Sequence, residues 1–177
     1  MKAIKVSIVF IAMIVMAVVI GSFFISPNLH VEYKYTIQAS PERVYQQIAE
    51  LRNWDNWSYW KKIDTTIRTI YSERSDSSGA YYTWTSSNPE VGAGKLTISK
   101  VKDNEYINTE IIFKDWGDAT TNFLLKENNG NTEVLCVFDT KMEGVANKWI
   151  GVLIMKSQII KSFESCMIDM NSYLSKK

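Results

Sequence analysis

The stretch VANKWIGVLIMKSQIIKSFESCMIDMNSYL, residues 145–174, decides the fold. Its apolar residues recur at Trp149, Leu153, Ile160, Phe163, Met167, Met170 and Leu174, in steps of three and four broken only at Lys156. This spacing predicts one long amphipathic helix from Val145 to Leu174. A stripe of that length needs an apolar surface to cover. Residues 30 to 140 read as short strands and turns, so the expected partner is a single curved antiparallel sheet with the helix across its concave face, an α+β arrangement. A sheet wrapped on a helix encloses space between the two, and the chemistry of that space is the functional question.

Working back from the helix, the strands are marked by period-two alternation and by their turns. Val31 to Ile37 alternates, with Val31, Tyr33, Tyr35 and Ile37 on one face. Ser40-Pro41-Glu42 starts a helix that runs to about Leu51, the serine as cap and the proline at the first helical position. Strands are predicted at 65–71, 80–85, 95–101, 106–113, 118–126 and 132–140. Asn129-Gly130 between the last two is a specific hairpin signal, because both residues accept the positive φ angles of a tight turn. Val91-Gly92-Ala93-Gly94 opens onto a strand and lacks a following Lys-Ser/Thr, so it reads as a turn and not as a phosphate loop. Trp54, Trp57 and Trp60 are spaced by three; they form either an aromatic lip over a pocket or the closed end of the core.

The N-terminus is different in kind. Within Val6 to Ile25 only Ser7, Gly21 and Ser22 interrupt the apolar residues. Twenty residues at about 1.5 Å each cross a hydrocarbon core of ~30 Å, which predicts a membrane-spanning helix over residues 6–25. Lys2 and Lys5 precede it and no charge follows until Glu32 apart from the single His30, so the bias of basic residues puts the N-terminus in the cytoplasm and the domain outside, on the cytoplasmic membrane. A cleaved signal peptide is the rival reading, although the run is longer than such a core and Phe23, Phe24 and Ile25 follow the only small residue near its end. The expected organisation is an anchor and linker at 1–28 and one domain at 29–177.

Charge and residue type limit the chemistry. Of 20 Lys and Arg, two lie ahead of the span, leaving 18 against 19 acidic residues and no basic block, so nucleic acid is not an expected partner. One His and two Cys give no metal-ligand spacing, and no cofactor is expected. His30 lies at the linker. Cys136, in the last strand, and Cys166, on the closing helix, are two buried thiols or a bridge across the sheet–helix junction.

The Ala39-Ser40-Pro41-Glu42-Arg43-Val44-Tyr45 segment, the run from Leu51 to Trp60 with Asp64, and Gly79-Ala80-Tyr81-Tyr82-Thr83-Trp84 carry a family resemblance. So do Val91 to Gly94 with Leu96 and Ile98, and the strand start Gly130 to Val134. Together with the element order they make residues 30 to 177 resemble the START-like SRPBCC superfamily, in the polyketide cyclase/dehydrase branch and its membrane-anchored form. The resemblance implies a helix-grip fold, and a role among lipid carriers, hormone binders or cyclases. Cys136 stands where that pattern often has tryptophan, and Glu143-Gly144-Val145-Ala146 replaces a proline-bearing segment.

Strand parity places Thr69, Tyr71, Ala80, Tyr82, Trp84, Leu96, Ile98, Ile107, Thr109, Ile111 and Phe113 on the inner face, followed by Ala119, Thr121, Phe123, Leu125, Val134, Cys136 and Phe138. None is ionisable as an acid, a base or a cation at neutral pH. Acid–base and nucleophilic catalysis need such groups, whereas aromatics, aliphatics and a few hydroxyls suit an apolar ligand. The expected function is membrane-tethered binding of a lipid or other hydrophobic small molecule. Tyr71, Tyr82, Trp84, Phe113, Phe123, Trp149 and Leu153 would supply contact and Thr109 and Thr121 hydroxyls. The alternatives are a cyclase or aromatase-like enzyme, in which tyrosines or ordered water move protons, and a partner-binding protein whose core is filled.

Overall fold

The alternating segments pair edge to edge into one seven-stranded antiparallel sheet: the last six strands follow one another as neighbours through connections that return the chain beside itself, and the first closes the sheet by pairing with the last. The structure, a computed structural model, describes residues 2–176 and the side chains of residues 4–176; Lys2, half of the expected basic flank, lies outside the described side chains. The elements are α1 (Lys2–Ser22), β1 (Asn28–Ile37), α2 (Pro41–Ala49), a 3₁₀ turn at Leu51–Asn56, α3 (Tyr59–Ile63), β2 (Arg68–Tyr71) and β3 (Tyr81–Thr85). They continue as β4 (Ala93–Lys102), β5 (Tyr106–Phe113), β6 (Gly117–Asn128), β7 (Asn131–Lys141), α4 (Val145–Ile150), a π-helical turn at Gly151–Met155 and α5 (Lys156–Ser175). The sheet order is β1-β7-β6-β5-β4-β3-β2.

The predicted strands are all present; β1, β4, β6 and β7 run longer than predicted, β5 keeps its bounds, and β2 and β3 start late, at Arg68 and Tyr81 instead of 65 and 80. Asn129 and Gly130 take φ of 51° and 79° and close the β6–β7 hairpin in two residues, as their side chains allow. β4 carries a bulge between Ile98 and Lys100, which bends the strand and helps the sheet to curve. Every residue that parity placed on the inner face is buried or half-buried.

The core lies between this face and two helices. α2 buries Val44, Ile48 and Ala49 against β5, β6 and β7, and α5 buries Phe163, Cys166, Met167, Met170 and Leu174 and packs chiefly along β1. Ile37, Ile98, Ile107, Met167 and Met170 have essentially no exposed surface. This is the helix-grip arrangement.

Two features differ from expectation. The C-terminal helix is one rod, but over Gly151–Met155 its bonding widens to the π pattern, which resets the apolar stripe. Leu153 is consequently 67% exposed, and Trp149 turns to α1. The linker is also shifted toward the N-terminus: α1 ends at Ser22, three residues before the expected end of the span, and β1 starts at Asn28. Asn28 already pairs with Lys141, Leu29 is buried, and Met142 N–H donates to the Pro27 carbonyl at 2.6 Å, so the domain begins almost at the end of α1.

Candidate functional site

The inner face of β2 to β6 carries large rings at alternate positions on neighbouring strands, so register brings them into contact. Trp84 lies across from Gly94, and Gly94 across from Phe113. With no side chain on Gly94, the Trp84 ring drops onto the sheet: a Cβ there would sit 2.5 Å from both the Ile112 carbonyl and the Trp84 ring. Trp84 Nε1 donates to the Val91 carbonyl at 3.1 Å, which fixes the indole plane.

From this rung the rings run on as a chain of tilted and edge-on contacts. Phe113 meets Trp84 at 5.7 Å, Trp84 meets Tyr82 at 5.8 Å, and Tyr82 meets Tyr71 at 5.8 Å. Trp54 joins the chain from the 3₁₀ turn, 6.1 Å from Tyr82, 5.8 Å from Phe123 and 4.9 Å from Trp57. Edge-to-face geometry of this kind is preferred by the ring quadrupoles. Trp54 Nε1 donates to the Ile48 carbonyl at 2.7 Å, whereas the buried Trp57 Nε1 has no partner among the described residues.

Five of the nine expected site residues, Tyr71, Tyr82, Trp84, Phe113 and Phe123, are thus brought together. Thr109 and Thr121 face each other across β5 and β6 behind them, and the Thr109 hydroxyl donates to the Thr121 carbonyl at 2.8 Å, so it already has a partner. Trp149 and Leu153 are not part of the ladder, for the reason given by the π turn. Trp54, its hub, was visible only as one of three tryptophans spaced by three. The 3₁₀ turn stacks Trp54 on Trp57, and its end at Trp57 releases Trp60 to the surface beside Tyr59.

The space between sheet and helix was expected to be an open cavity. Along β2 to β6 it is lined by these rings, which touch one another. The surface carries open hollows, among them one of about 560 Å³ at the strand ends around Asn28, Glu110, Asp118 and Lys141 and one of about 300 Å³ between α3 and α5 around Tyr59, Lys62 and Glu164. Tyr71, Tyr82, Phe113 and Trp54 nevertheless remain half-buried, because α5 packs chiefly along β1 and leaves the β2–β5 side to the rings.

At the Tyr71 end the ladder has a polar rim. The Tyr71 hydroxyl donates to Asp55 at 3.2 Å, Lys61 pairs with the same carboxylate at 3.3 Å, and the Arg52 guanidinium lies 5.0 Å above the Tyr71 ring. Burial, then the Asp55 charge, pushes the Tyr71 phenol up to about 12, and burial pushes Tyr82 up as well. Both keep their protons at neutral pH and act as donors. Asp64, buried at the start of the β2 segment, accepts from Ser86 and from the Thr66 amide and hydroxyl, and these bonds hold it below the usual carboxylate range. Cys136 and Cys166 are free thiols, both pushed up by burial, and the Cys166 sulfur accepts from the Tyr59 amide at 3.3 Å. Among the described residues, no three His, Cys, Asp or Glu side chains gather to hold a metal ion.

No protein-family model and no curated protein sequence matches this chain. Solved structures do. A Staphylococcus aureus protein of unknown function, SA2116, is similar over 85% of this chain and 98% of its own, with a TM-score of 0.63 at 16% identity. Ara h 8.0201 is similar over 85% of this chain and 99% of its own, with a TM-score of 0.62 at 12% identity. CalU16 from Micromonospora echinospora is similar over 84% and 76%, with a TM-score of 0.55 at 12% identity. At such identities the likeness defines the fold alone, the helix-grip arrangement described above; it leaves ligand and activity to the site itself.

Proposed function

We propose that this chain is a membrane-tethered binding module for a lipid or other hydrophobic small molecule, taken up against the inner face of β2 to β6. The reading rests on one observation: an uncharged aromatic run from Phe113 to Phe123 in which Phe113, Tyr82, Tyr71 and Trp54 stay partly exposed although the rings are mutually packed, Trp84 and Phe123 forming its buried floor. Single water-facing aromatics are ordinary, but a contiguous apolar patch on a concave face is a ligand-site signature. Entry requires the rings to part, with the unpartnered Trp57 N–H and the Tyr82 hydroxyl as donors for a polar head.

The tether supports a membrane source for that ligand. α1 offers 19 residues, Ile4–Ser22, with mean hydropathy 2.7, exposed along its length except at the Gly21–Ser22 end that meets the domain. Lys5 on its leading side gives the N-terminus to the cytoplasm and the domain to the outer face. The register Asn28–Lys141, Ala119–Thr140, Gly117–Phe113, Gly94–Phe113 and Gly94–Trp84 runs across the sheet end that starts where α1 stops. The Trp84–Phe113 rung belongs to that end, so the ladder opens on the tethered side.

Photo-crosslinking tests this in the full chain embedded in vesicles. A photoactivatable lipid analogue should leave adducts on β3 and β5 peptides bearing Tyr82, Trp84 and Phe113. Adducts confined to α1 would overturn it, and would favour the second reading, a partner-binding protein with a filled core, for which the ring-to-ring contacts speak.

A further inference from the structure

We propose that the first turns of the C-terminal helix form a second membrane contact, in which Val152, Leu153 and Ile154 enter the interface of the bilayer that α1 crosses. The proposal rests on the tethering reading above. It starts from how closely this helix is fastened to α1. Trp149 Nε1 donates to the Val18 carbonyl at 3.1 Å, and the Lys148 ammonium donates to the Ser22 carbonyl at 3.1 Å, at the negative end of the α1 dipole. Gly21 makes the seat: a Cβ on it would lie 2.9 Å from the Trp149 ring. Val18 is four residues inside the end of α1, about 6 Å along its axis. A membrane-spanning α1 therefore places the Trp149 indole at the headgroup level, where tryptophan is enriched.

Leu153 follows Trp149 by four residues, about one turn further along the helix that α1 holds at Trp149. Val152 and Ile154 flank it within the π turn. The three residues are 53%, 67% and 48% exposed, a contiguous apolar run largely open to the surroundings, and Phe23 and Phe24 beside the α1 end are 79% and 87% exposed. Lys156 ends the run with a charge suited to headgroups. The occupant is the bilayer, because the patch continues the exposed apolar surface of α1 and is bonded to its outer end.

The test uses the full chain in phosphatidylcholine–phosphatidylglycerol vesicles, carrying Leu153→Cys labelled with an environment-sensitive fluorophore. Lys126→Cys, beside the β6–β7 hairpin at the opposite end of the sheet, is the reference; the native thiols are buried and stay unlabelled. Lipids brominated near the headgroup should quench the label at 153 at least several-fold more than the label at 126. Equal quenching at both sites, in chain that still resists alkaline extraction, would overturn the docking and leave the tether standing. Release of the chain by alkaline extraction would overturn both. Energy transfer between labels at 153 that persists on dilution with lipid, without bromine quenching, would assign the patch to a second copy and likewise overturn it.

Discussion

At the scale of single residues, the two tryptophans of the 3₁₀ turn make a matched pair. Both are packed in the ladder, but the Trp54 N–H is bonded to Ile48 and the Trp57 N–H is not. Breaking a buried hydrogen bond leaves a carbonyl unsatisfied at about 1–3 kcal/mol, while removing an orphaned donor relieves a penalty. Trp54→Phe should therefore destabilise the domain more than Trp57→Phe, by about 1–3 kcal/mol in urea unfolding. Equal losses would mean that the indole N–H groups play no part.

His30 is a second case at this scale. The Asp139 carboxylate at 2.6 Å, then Glu32 at 3.2 Å, raise its pKa above 6.5. A raised value in the folded state means stability present below about 6.5 and lost as pH climbs through the folded value. Thermal midpoints measured across that window should fall slightly with rising pH in the natural chain and stay flat for this contribution in His30→Gln. The ring is exposed, so the slope is small.

At the scale of elements, Gly94 is what lets β3, β4 and β5 hold the ladder. A methyl group there meets a backbone carbonyl, which cannot swing aside as a flexible side chain does. Gly94→Ala should destabilise by about 1–3 kcal/mol, the range for overpacked sites, and alter near-ultraviolet dichroism through the displaced Trp84. An unchanged spectrum would show that the indole does not rest on this strand. The long helix makes the converse point, since its second half is specified by packing and its first by α1. Trp149 and Leu153 belong to the same sequence stripe as Phe163 and Met167, yet Trp149 bonds to α1 and Leu153 is left exposed.

At the scale of the whole molecule, Cys136 on β7 and Cys166 on α5 report whether sheet and helix separate. Both thiols are buried and held protonated, Cys166 up to about 12, so neither should react with a maleimide at neutral pH in the folded domain. Labelling against urea should expose both in one transition that coincides with loss of tryptophan fluorescence, as expected of one cooperative core. Early labelling of Cys166 alone would show α5 lifting from the sheet, a route by which a ligand reaches the ladder.

Alternation, turn residues and the helical stripe were enough to specify seven strands, their inner faces and the closing helix, because side-chain direction in a strand repeats every two residues whatever lies opposite. Tyr71, Tyr82, Trp84, Phe113 and Phe123 were legible for that reason. What periodicity does not carry is depth and neighbour. Only the folded chain decided that the rings touch, that Trp54 joins them, that Trp149 bonds to α1 and that Leu153 is left exposed at a π turn. Those outcomes depend on contacts between residues far apart in sequence, set by register across the sheet and by the close seat that Gly21 and Gly94 leave for an indole.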